Sequence, residues 1–153
     1  MPAEAAGIRT VHTRFGIVMS AKGAPLTKML PLFRLGLGGP FGNGHQWMSW
    51  VSLTDVVGAL QFLIAEKAVS GPVNVTAPNP VTNAEFAHTL GKALHRPAVL
   101  PAPAFALRLA LGEMAEPLTL TGQRVLPRRL LEAGFAFLHP TLLEALQAEL
   151  AHN

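Results

Sequence analysis

The chain has no cysteine and no tyrosine among its 153 residues, and only 14% of them are charged. Without cysteine there is no disulfide and no thiolate chemistry. That is compatible with a reducing compartment, and the reading places the chain in the cytoplasm. No apolar run reaches the roughly 20 residues that span a bilayer. The longest candidate, residues 98–111, is interrupted by Pro101, Pro103 and Arg108, so no membrane role is expected. The opening MPAEAAGIRT has no basic stretch ahead of an apolar core and does not read as a signal peptide. Acidic residues are few, which leaves a formal net charge of +3 and a pI near 10.0. The basic residues are scattered, apart from Arg124, Arg128 and Arg129, and no tyrosine is present to stack bases. A solvated basic face therefore explains the charge better than a nucleic-acid stripe does. Anionic small ligands stay compatible.

Half of the residues are apolar, a globular composition with enough length for one domain and a real core. For a chain this short, one reading is that part of its apolar surface packs against something else. Ile8–Met19 is rich in β-branched residues and reads as a buried strand that leaves through Ser20-Ala21-Lys22-Gly23. Leu26, Met29, Leu30 and Phe33 repeat at helical spacing, in a short helix bent or broken at Pro31. A glycine-rich loop runs from Gly36 to Gly44, and Trp47–Leu53 fits a short strand. Ser52 then precedes a helix to about Lys67 whose stripe is Val56, Val57, Leu60, Leu63 and Ile64. Ser70-Gly71-Pro72 stops it, and Val73–Thr76 is a second buried strand. Strand, amphipathic helix and strand in that order imply α/β architecture with parallel pairing.

Beyond Pro78-Asn79-Pro80 the composition changes to a mainly helical part. Thr82 with Glu85 forms a capping box for a helix lined by Phe86, Leu90 and Leu94. Val99-Leu100 is read as a short extended piece and Ala104–Ala115 as an apolar helix. Leu126–Ala133 is a further helix, entered through Pro127 and closed by Gly134, and Leu142–Leu150 is the terminal one. The domain reading is 1–78 for the strand-bearing part and 79–153 for the helical part.

Several motifs are missing. The glycines at 36 and 38 begin a dinucleotide-like spacing, but position 41 is Phe and the run follows a helix, not a strand. It is read as a structural or substrate-lid loop. There is no phosphate-binding P-loop, no His-Glu-x-x-His and no nucleophile elbow. The six histidines never fall at metal-ligand spacing, and no metal is expected.

The stretches RFGIVMSAKGAPLTKMLPLFRLGLGGPFGNGHQWMSWVSLTDVV and GPVNVTAPNPVTNAEFAHTLGKALHRP resemble the second half of the NAD(P)-dependent epimerase-like branch of the extended short-chain dehydrogenases/reductases. The tail from PAPAFALRLALGEMAEPLTLTGQRVLPRRLLEAGF resembles the C-terminal domain of unknown function that marks one branch of that family. The resemblance runs from about Gly7 to Leu150. It implies the last strands of a Rossmann-like parallel sheet followed by a mainly helical substrate domain. It also implies NAD(P) as the cofactor of the intact family, with a catalytic Tyr-x-x-x-Lys and a glycine fingerprint in the other half. Neither motif is in this sequence, and Met1 falls after the family's catalytic helix. The chain alone is therefore expected to bind no dinucleotide and to need a nucleotide-binding N-terminal half, in the same or another chain. One departure stands out. Relatives usually read Trp-Ile-His-x-x-Asp where this chain has Trp50-Val51-Ser52-Leu53-Thr54-Asp55; with Ser in place of His, any hold of that His on substrate or loop would be weakened.

Arg14 stands where the first strand ends, the end that faces ligand in a parallel sheet. Its guanidinium suits a cofactor phosphate or ribose, or else an ion pair with the other half. Trp47 and Trp50 can wall a substrate pocket or fill core. Lys28 and Gln46 can offer donors to an anionic or sugar substrate, or lie on the surface. Asp55 reads foremost as a capping partner of Ser52. Two functions follow. The first is the substrate-binding half of a sugar-nucleotide epimerase or reductase. The second is a non-catalytic binding or assembly module that docks on a partner. Exposed strand edge and apolar face would also favour self-association.

Overall fold

The structure is a computed structural model that describes residues 2–23, 26–99, 101 and 122–151. The expected helix at Ala104–Ala115 lies outside the described residues, as does Leu100 of the expected extended piece. In chain order the described elements are α1 (Pro2–Ala5), β1 (Val11–Phe15), β2 (Ile17–Met19), α2 (Leu26–Arg34), β3 (Trp47–Met48), β4 (Trp50–Ser52), α3 (Leu53–Ala65), β5 (Gly71–Val75), β6 (Val81–Thr82), α4 (Asn83–Leu94), α5 (Arg128–Glu132) and α6 (Leu142–Ala151).

The segment read as one strand from Ile8 to Met19 is two strands that fork at Gly16. β1 pairs in parallel with β5, Val11 opposite Gly71 and Phe15 opposite Val75. β2 pairs in parallel with β4, Ile17 opposite Trp50. At the fork the Gly16 N–H donates to Val75 O at 3.1 Å, and the next N–H, of Ile17, turns to Ser49 O at 2.8 Å. β4 thus enters where β1 and β5 diverge, and Ala77 N–H rejoins it at Trp50 O. The parallel pairing expected between the two β-branched segments is present. The fold is mixed α/β, with short parallel pairs and helices around them. β3 and β6 add a small antiparallel pair.

Two apolar clusters hold these elements. In one, Trp50 lies under Leu26, Leu30 and Phe33 of α2, Phe86 and Leu90 of α4, and Leu142 and Leu146 of α6. In the other, α3 packs Val56, Ala59 and Leu63 on Val51, Val73 and Val75, with Leu130 beside them. Full burial of each such side chain contributes about 1.5–3 kcal/mol. Both clusters draw residues from each side of position 78.

α2 keeps the four expected apolar residues buried but runs through Pro31 unbroken. The Gly36–Gly44 loop is pinned to the core: Phe41 is buried, and its N–H donates to the buried Asn83 Oδ1 at 2.6 Å. The stripe expected on α3 needs correction. Val56 and Leu63 are buried, but Val57, Leu60 and Ile64 are exposed. The sheet covers only one side of a broad apolar arc, and Ala59 takes the centre of the contact.

Local capping follows the sequence closely. Thr82 Oγ1 accepts from Glu85 N–H at 3.3 Å, and Glu85 Oε2 accepts from Thr82 N–H at 2.7 Å. The same reach-back recurs at α6, where Glu144 Oε2 accepts from both the hydroxyl and the N–H of Thr141. The Thr141 hydroxyl, and then its N–H, hold the Glu144 carboxyl below its ordinary 4.5. A lowered folded-state pKa means this cap contributes fully above about 4.5 and is lost as pH falls through the folded value. Amide exchange in the first turn of α6 is therefore expected to quicken as pH drops below 4.5. Exchange there that is flat with pH, after correction for intrinsic rates, would oppose this.

Candidate functional site

In a parallel sheet the carboxyl ends of the strands face the ligand crevice. Here β1 ends at Arg14 and Phe15 and β5 ends at Asn74 and Val75, with Arg14 directly opposite Asn74. Gly16 then bends the chain away, and the space in front is a cleft of about 590 Å³. Arg14, Phe15, Trp47, Ser49, Asn74 and Gln123 are among its walls. A second cleft of about 480 Å³ adjoins it, sharing Asn74 and Val125, and is lined by Arg124, Arg128 and Arg129 as well as Pro72 and Leu126. Together they form one groove along β5. Among the described residues no carboxylate lines either part.

The segment 122–127 forms the groove's outer wall, and hydrogen bonds fix it. Ser49 Oγ donates to Gln123 O at 2.7 Å and accepts from Val125 N–H at 2.9 Å. Asn74 Nδ2 reaches Leu126 O at 3.4 Å. Arg124 then lies over the Trp47 ring, its guanidinium carbon 5.2 Å from the centroid, a cation–π contact. Arg129 spends an N–H on Pro72 O at 2.9 Å.

The candidate residues separate clearly. Arg14 is exposed at the cleft with no hydrogen-bond or ion-pair partner among the described residues. Trp47 lines the cleft and is partly exposed. Trp50 does not line it: the ring is fully buried and its Nε1–H donates to Asn79 O at 3.0 Å. Gln46 uses its amide on Phe41 O at 3.1 Å and is not on the cleft wall. Lys28 is exposed on α2, also off the wall. Sequence reasoning missed Ser49, Asn74 and Gln123. It named Arg124, Arg128 and Arg129 as able to face the cleft, but favoured a solvated face for them.

Asp55 does more than cap α3. Its N–H donates to Ser52 Oγ at 3.0 Å, and the Ser52 hydroxyl donates back to Asp55 Oδ2 at 2.7 Å. The buried carboxylate also accepts the N–H groups of Leu138 at 2.7 Å and His139 at 3.1 Å. His139 Nδ1 lies 3.3 Å from Ser52 Oγ. The family resemblance expects an imidazole at position 52; here one arrives from position 139.

Residues 102–149 match a domain of unknown function, DUF1731. An epimerase family protein of Mycobacterium bovis is 52% identical over 95% of this chain and 48% of its own length. The solved human epimerase family protein SDR39U1, crystallised with NADPH, superposes with a TM-score of 0.86 at 39% identity, over 95% of this chain and 50% of that one. The chain matches a C-terminal portion of an epimerase-like short-chain dehydrogenase/reductase. A nucleoside-diphosphate sugar epimerase from Corynebacterium glutamicum also superposes, with a TM-score of 0.72 at 31% identity over 99% of this chain and 28% of that one. The chain spans about half the length of the curated relatives it matches.

The residues present can be tested against a dinucleotide. A pyrophosphate needs free N–H groups at a glycine-rich strand-to-helix turn. Among the described residues, strands lead directly into helices at β4–α3 and β6–α4. There Ser52 and Asp55, and Thr82 and Glu85, already occupy the helix starts with oxygen acceptors, one of them a carboxylate in each case. These turns do not fit a pyrophosphate. Arg14 stands exposed at the cleft, at the carboxyl end of β1.

Proposed function

We propose that this chain is the substrate-side half of an NAD(P)-dependent epimerase- or reductase-like enzyme acting on a sugar nucleotide. The observation that carries the reading is the groove at the carboxyl ends of β1 and β5, lined by no carboxylate among the described residues, with Arg14 at one end and Arg124 and Arg128 at the other. Guanidinium forks suit phosphate oxygens bidentately. The Trp47–Arg124 stack offers a flat face for a base or sugar ring. Asn74 and Gln123 supply amide groups of the kind that orient a sugar. The name of the Corynebacterium relative supports that substrate class. NAD(P), bound by the complementary half, would supply the hydride chemistry. This chain's residues bind and orient the substrate and close one side of the site.

The test uses the two tryptophans. Trp50 is buried and gives a constant background, so fluorescence changes report Trp47. UDP-glucose is expected to quench this signal saturably. Arg124→Ala and Arg128→Ala should each weaken binding about tenfold, the equivalent of one charge-assisted hydrogen bond of roughly 1.4 kcal/mol. NADPH, added to this chain alone, is expected to give no tight binding. No saturable response to UDP-glucose, or a response untouched by both arginine variants, would overturn the reading.

A further inference from the structure

The groove along β5 holds more positive charge than the diphosphate of a sugar nucleotide balances. Arg14, Arg124, Arg128 and Arg129 line its two parts, and among the described residues no carboxylate faces them. A diphosphate that joins a nucleoside to a sugar carries one negative charge per phosphate group. The part beside Pro72 already brings Arg124, Arg128 and Arg129 to meet it. Arg14 is left over. It lies in the other part and has no hydrogen-bond or ion-pair partner among the described residues. A guanidinium keeps its charge at any working pH. An anion that reaches Arg14 therefore gains an attraction that no neighbouring carboxylate competes for.

Strand register says where that anion stands. Val73 and Val75 turn into the cluster under α3, so Pro72 and Asn74 share the opposite face of β5. Arg14 is the partner of Asn74 and projects on that same face, one strand over. Pro72, which lines the three-arginine part, comes two residues before Asn74. At about 3.3 Å per residue along a strand and about 4.8 Å between strands, the backbone at Arg14 lies about 8 Å from that at Pro72. The Asn74 amide stands between the two places, and Trp47 and Gln123 wall the Arg14 part. The gap is the size of a sugar ring, lined by amides and a flat aromatic face, with cations at both ends. A neutral sugar uses the amides alone. A sugar acid also carries a carboxylate across the ring from its phosphate.

We propose that the substrate is a nucleoside diphosphate-linked sugar acid, its diphosphate at Arg124 and Arg128 and its sugar carboxylate in the fork of Arg14. Guanidinium and carboxylate pair through parallel N–H···O bonds, so Arg14 would fix the orientation of the ring as well as meet its charge. Arg14 is then the residue that sets specificity for the acid over the neutral sugar. This rests on the functional reading above and narrows its substrate class.

Trp47 fluorescence compares UDP-glucose with UDP-glucuronate, which differ only in the oxidation of the C6 carbon. UDP-glucuronate is expected to bind about tenfold tighter or more, as a charge-assisted pair at Arg14 requires. Arg14→Gln should bring the two ligands within about twofold of each other by weakening UDP-glucuronate alone. Arg14→Lys, which keeps the charge but loses the fork, should retain part of the preference. Lys28→Gln, exposed on α2 away from the groove, should change neither affinity. Equal binding of the two ligands by the unaltered chain would overturn this proposal and leave the functional reading standing. So would a preference for the acid that survives in Arg14→Gln, which would return Arg14 to a cofactor or an ion pair. If neither ligand gives a saturable response, both readings fall together.

Discussion

Gly16→Ala is expected to cost about 3 kcal/mol, at the upper end of what overpacking a tight site costs. A Cβ at Gly16 would stand 2.5 Å from Ser49 O and 3.0 Å from Thr76 Cγ2. The first neighbour is backbone, and the incoming strand β4 hangs from that carbonyl through Ile17 N–H. The Ser49 carbonyl cannot yield without loosening β2 from β4. For a chain of this size that cost corresponds to a fall in Tm of roughly 6–12 °C. The effect should reach the site too, since Gly16 bends the chain just past Arg14 and lines the cleft. Gly42→Ala is the control. Gly42 has φ +56 and open space at its Cβ, so only the left-handed strain of about 1 kcal/mol applies. Thermal unfolding of both variants decides it: equal losses would show that close approach at the fork is not what position 16 requires.

Asp55→Ala is expected to cost about 3–5 kcal/mol. The change leaves the N–H groups of Leu138 and His139 and the Ser52 hydroxyl without their acceptor in a buried place. Each lost hydrogen bond to a charged group is worth about 1.5–3 kcal/mol. Asp55→Asn should fall between, because one oxygen can still serve Leu138 while the amide turns a donor toward another N–H. Urea unfolding measures the loss. Limited proteolysis locates it, with cleavage expected around residues 134–141. A loss of about 1 kcal/mol for Asp55→Ala would mean that the carboxylate only caps α3 and does not tether the later segment.

The two cases show where the sequence speaks. The Ser52–Asp55 and Thr82–Glu85 pairs were legible because a cap and its partner lie three residues apart. The tether from Asp55 to Leu138 was not, since 83 residues separate the two and neither advertises the other. The α3 stripe was legible as apolar, but not as half covered. Periodicity measures what a helix offers, while coverage depends on how much sheet lies beneath it. Trp47 and Trp50 sit on either side of Ser49 and looked alike in sequence. One pleat turns Trp50 into the core and leaves Trp47 at the cleft.

From its residues alone this chain determined most of the helices seen among the described residues, their caps and the parallel α/β character, because each rests on neighbours within about one turn of helix or on alternation along a strand. The groove was decided only by folding. It exists because Gly16 lets two strand pairs part, Ser49 catches the returning segment at Gln123 and Val125, and that return lays Arg124 and Arg128 beside Asn74. Contacts between residues about 50 to 75 positions apart leave no local pattern, so their chemistry becomes visible only once the chain has closed on itself.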